Sequence, residues 1–110
     1  MKWLRADAEI RPNAENDELA VWVTILVIPE HYQMYSPKDI PAVLRDWGAA
    51  EPWGCKSVAE CWRDTRPAQP GAEELSFCIT PKDAAALDGD PEVVAGFRAR
   101  CEMKLRDLFD

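Results

Sequence analysis

The chain has 110 residues, 47% of them hydrophobic, and carries 20 acidic against 13 basic side chains for a net charge of −7. This length suits one globular domain over residues 1–110, with a core large enough to fold without metal or disulfide staples. The acidic balance excludes an extended basic face for nucleic acid, and the single histidine, His31, excludes metal centres that need two imidazoles.

The N-terminus, MKWLRADAEI, follows Lys2 and Arg5 with Asp7 and Glu9 rather than with the apolar segment of a secretion signal. In KWLRADAEIR, residues Leu4, Ala6, Ala8 and Ile10 alternate with polar positions and with Trp3, the pattern of a half-buried strand. The turn-rich stretch PNAENDE separates it from Leu19–Ile28, which is apolar on both faces apart from Thr24. These runs predict an antiparallel hairpin with the second strand central, ended by Pro29. The second run is about half the length that a membrane-spanning helix needs.

The motif SPKDIPAVLRDWG predicts a helix. Ser36 is the cap, Pro37 lies in the first turn, and Ile40, Val43, Leu44 and Trp47 form an apolar stripe that Gly48 ends. Pro41 lacks the donor a helix interior needs, which moves the expected start towards Asp39. The segment EPWGCKSVAECW then carries two tryptophans and two cysteines in twelve positions. Ser57 and Glu60 have capping-box spacing, so a short helix is expected with Val58, Cys61, Trp62 and Thr65 on one face, preceded by a loop holding Trp53, Gly54 and Cys55.

RPAQPGAEE reads as a surface loop and ELSFCIT as a third strand. TPKDAAALDG, with Thr80 as cap and Asp83 in the first turn, reads as a short helix. A long helix is expected from Asp90 towards Leu108, with the stripe Val94, Phe97, Cys101, Leu105 and Leu108. The expected class is α+β in the order ββααβαα: a small, mostly antiparallel sheet of about three strands with helices on one face.

Cys55, Cys61, Cys78 and Cys101 show no CxxC spacing, and with no leader they are expected as reduced thiols of a cytoplasmic protein, without disulfide, metal or cofactor. No glycine-rich phosphate loop, nucleophile elbow or calcium loop is present, and no stretch carries a family signature. The five tryptophans and the acidic clusters therefore carry the functional expectation. It is a non-enzymatic, acidic protein that binds a basic, nucleic-acid-binding protein partner, of the kind bacteriophages use to antagonise such machines. It would touch neither nucleic acid nor membrane directly. The expected partner-binding residues are the exposed anchors Trp3 and Trp53 with the steering groups Glu15, Asp17, Glu18, Glu73 and Glu74. The alternative is a small-molecule or enzymatic site in a pocket near His31, Tyr32, Tyr35 and Trp53.

Overall fold

A computed structural model describes residues 3–13, 15–27, 39–61 and 73–108, with the backbone alone described at residues 3, 4, 61 and 73. The chain is α+β. Four strands, β1 (Trp3–Pro12), β2 (Leu19–Val27), β3 (Ser57–Cys61) and β4 (Glu73–Thr80), form an antiparallel sheet in the order β1-β2-β4-β3. Two helices, α1 (Ile40–Ala49) and α2 (Pro91–Asp107), and a 3-10 turn (Ala84–Asp88) complete the described elements. None of these helices is long and apolar enough to cross a membrane.

Strand register sorts the side chains into two faces. Ala8 lies opposite Val23, which lies opposite Phe77, and Ile79 lies opposite Val58. One face thus carries Val21, Val23, Ile25, Val27, Leu75, Phe77 and Ile79, and these pack with Ile40 and Leu44 of α1 and Phe97, Cys101 and Leu105 of α2. The alternation of the two faces follows from the two-residue period of extended chain. Both helices therefore cover the same side of the sheet.

The strand and long-helix expectations hold, with β2 described over Leu19–Val27 and α2 spanning Pro91–Asp107, while the expected stop at Pro29 lies outside the described residues. Pro41 is accommodated because it stands in the first turn of α1, where no intrahelical partner awaits its missing N–H. Three expectations are corrected. Ser57–Cys61 is a strand, not a capped helix. The outer edge of β4 presents unpaired backbone groups, and Lys56 N–H begins to satisfy them by donating to Thr80 O at 2.8 Å. The ladder then runs from Ser57 opposite Thr80 to Cys61 opposite Ser76. Trp62 and Thr65, the remainder of that stripe, lie outside the described residues, as do Ser36 and Pro37.

The second correction concerns Thr80, which remains in β4. The following turn is a 3-10 segment capped by Asp83, whose Oδ1 accepts from Ala85 N–H at 3.1 Å. The third concerns Gly48, which lies inside the last turn of α1 rather than beyond it. Its value is closeness, because a Cβ there would sit 2.8 Å from the Cys55 Cβ.

Candidate partner-binding surfaces

The β1–β2 connection is built by its asparagines. Asn13 Oδ1 accepts from Glu15 N–H at 2.8 Å, Asn16 Oδ1 accepts from Glu18 N–H at 3.1 Å, and Asp17 takes a left-handed φ of 58°. Short polar side chains favour this geometry because they bond the backbone two residues on. Asn13 Nδ2 also donates to Thr80 Oγ1 at 3.1 Å, tying the hairpin tip to the end of β4. The chain then turns at Pro81 towards Asp83, Asp88 and Asp90. Asp90 caps α2 by accepting from Glu92 N–H at 2.9 Å, and the first turns of α2 share a surface hollow with Glu9 and Ile10 of β1.

One end of the molecule thus collects Glu15, Asp17 and Glu18 from the hairpin with Asp83, Asp88, Asp90 and Glu92 from the 3-10 segment and the start of α2. Cations stand among them: Arg11, Lys56, Lys82, and Arg98, which lines the hollow with Pro91 and Glu9. Arg11 Nε is 3.0 Å from Glu9, and Lys56 Nζ is 3.4 Å from Glu18, so both are engaged. The sequence separates these clusters by some seventy positions, and the antiparallel register brings them together.

Glu73 and Glu74 do not join that end. They stand opposite Val27 and Leu26 at the other end of the sheet, and Glu74 lies 3.8 Å from Arg5 Nη2. Trp3 is also at that end, opposite Val27, and its side chain lies outside the described residues.

Trp53 corrects the expectation of an exposed anchor. It is half-buried between the helices, with its ring centroid 3.6 Å from that of Phe97 on α2 and edge-on to Trp47 of α1 at 6.0 Å. The turn that delivers it needs Gly54, at φ +63°, whose N–H donates to Glu51 O at 2.9 Å. Part of Trp53 still lines a shallow hollow of about 680 Å³ with Pro52, Ala86, Val93 and Arg100, and its Nε1 is buried without a hydrogen-bond partner among the described residues. His31, Tyr32 and Tyr35, the rest of the candidate pocket, lie outside the described residues.

On the sheet face away from the helices, Trp22, Cys78, Ser57 and Asn13 line a cavity of about 210 Å³ that Glu15 and Glu60 also border. Arg11 stacks over the Trp22 ring at 4.7 Å. Nothing in the sequence marked this place, because its residues come from three strands and a turn.

The cysteines pack. Cys55, Cys78 and Cys101 are buried, and burial pushes the Cys55 and Cys101 thiols above their ordinary range. Such thiols are held away from the reactive thiolate form. Among the described residues, no three His, Cys, Asp or Glu side chains converge as a metal centre requires. No family model, curated protein or solved structure matches this chain.

Proposed function

We propose that this chain is a non-enzymatic cytoplasmic protein that binds a basic protein surface of the kind that otherwise contacts nucleic-acid phosphate, and so inhibits its partner. The supporting observation is the gathering of Glu15, Asp17, Glu18, Asp83, Asp88, Asp90 and Glu92 at one end of the sheet. An acidic excess of this kind raises the rate of encounter with an opposite charge and discriminates against acidic partners. Capture on immobilised chain from extracts of the source cell tests this reading. The retained protein should be basic, should be released by excess duplex DNA, and should be lost when Glu15, Asp17 and Asp88 are changed together to Gln, Asn and Asn. Retention insensitive to both DNA and the triple variant overturns it.

A second reading, a small-molecule site, is favoured by the hollow of about 680 Å³ that Trp53 lines together with the cations Lys82 and Arg100. A carboxylate-bearing compound that quenches Trp53 fluorescence, and does so no longer in Arg100→Ala, would support it. Failure of a carboxylate library to change that fluorescence or the melting temperature removes it.

A further inference from the structure

The outward side of α2 has a self-complementary layout. Val93 and Met103 are the exposed large hydrophobic residues of the described surface, at 62% and 59% exposure, and both stand on this helix. With Gly96 and Arg100 they fall at spacings of three, four and three, which is one face of an α-helix adjoining the buried stripe of Phe97, Cys101 and Leu105. The middle of that face is low. Gly96 has no side chain, and the Arg100 guanidinium lies back over it, since a Cβ at Gly96 would be 3.3 Å from Arg100 Nη1. Arg100 is held there by Glu51, 3.4 Å away, so its aliphatic stem adds apolar surface between Val93 and Met103.

Charge on α2 is polarised. Asp88, Asp90 and Glu92 stand at its N-terminal end, while its second half carries Arg100, Lys104 and Arg106 against Glu102 and Asp107, a small basic excess in which Arg106 lies 3.6 Å from Glu102. Val93 and Met103 are each five residues from Arg98. A two-fold axis level with Arg98 therefore sets Val93 of one copy at the level of Met103 of the other. The same operation sets the acidic first turn of each copy against the basic last turns of its mate, and opposes the two helix dipoles. Parallel packing would instead stack like charges.

We propose that α2 is a homodimer surface, two copies pairing α2 against α2 in antiparallel orientation about an axis at Arg98. One helix pair is a small contact, so the dimer is of the weak, reversible class, with Kd on the order of 10 µM.

Sedimentation velocity from about 5 to about 500 µM tests this, because that range brackets the expected Kd. The wild-type chain should pass from monomer to dimer across it, and about 0.5 M sodium chloride should weaken pairing several-fold by screening. Met103→Glu, on an exposed position and so without consequence for folding, should weaken pairing at least about tenfold. The charge pattern gives a sharper test. Asp88→Lys/Glu92→Lys has two basic helix ends and Lys104→Glu/Arg106→Glu has two acidic ends, so each alone should stay monomeric while their mixture forms a heterodimer. A wild-type chain that remains monomeric throughout, a dimer indifferent to Met103→Glu, or a charge-swapped mixture that fails to pair each overturns the proposal.

Discussion

On the helix side of the sheet, Val23, Ile25, Phe77 and Ile79 pack into a continuous apolar cluster, whereas on the far side of the same two strands Thr24 and Ser76 bond to each other at 3.0 Å. Both layers are buried, Thr24 at 4% and Ser76 at 3% exposure. The difference lies in what holds them. An apolar cluster loses stability in proportion to the volume removed, since each missing group leaves a hole and exposes no unpaired charge or dipole. A buried polar pair behaves by satisfaction: its members are costly singly and nearly neutral together.

The largest expected effect sharpens the apolar half of that comparison. Phe97→Ala should lower stability by about 3–5 kcal/mol, because Phe97 is both buried and the ring on which Trp53 stacks. Urea midpoints measure it. A loss below about 1 kcal/mol would show that α2 does not hold its place through this side chain.

Next is the polar pair. Thr24→Val leaves Ser76 without its partner and should cost about 1–3 kcal/mol, while Thr24→Val with Ser76→Ala should recover most of that loss. A double variant as unstable as the sum of the singles would break the comparison, making the far face another layer governed by volume.

An alkaline test follows from Cys101, buried in the apolar cluster with its thiol pKa raised by desolvation, Glu51 adding to the effect. The folded state keeps the proton that the unfolded chain releases near its ordinary value of 9.0. Stability from this group is thus constant below pH 9 and falls by about 1 kcal/mol per pH unit above it. Cys101→Val should lessen that fall in a series of melts between about pH 8 and pH 10.5. Parallel curves for the two chains would place the alkaline sensitivity elsewhere.

The smallest effect is expected at Arg100→Ala. Its ion pair with Glu51 is 3.4 Å long, but 46% of the arginine side chain is exposed, so solvent screening leaves well under about 1 kcal/mol. A shift in urea midpoint matching that of Phe97→Ala would reverse the facing of α2.

Much of the fold was legible because its signals are local. Alternation along Leu4–Ile10 marked β1, the start of α2 at Asp90 was visible as a Pro- and acid-rich stretch, and Phe97, Cys101 and Leu105 fell at helical spacing, whereas the cap of the 3-10 segment was expected at Thr80 and stands at Asp83. Of the candidate partner-binding residues, Glu15 and Asp17 are exposed on the turn where an NAENDE composition would put them. Trp53 was misread because a loop residue between Pro52 and Gly54 shows no periodicity, although it packs on two helices.

The sequence by itself determined the α+β class, the central place of β2 and the apolar stripe of α2, since each follows from the period at which side chains repeat along a single segment. Only the tertiary structure decided that Ser57–Cys61 extends the sheet, that Gly48 exists to admit Cys55, that Trp53 wedges between helices, and that acids from residues 15–18 and 83–92 share one end. In SVAEC the capping-box spacing specifies a helix only in the absence of competition. The open edge of β4 offers backbone partners for the whole segment and a place for Val58 on the core. That edge lies fifteen to twenty-three residues further along the chain, from Cys61 opposite Ser76 to Ser57 opposite Thr80, beyond the reach of any local pattern, so the choice between helix and strand could be made only when the two met.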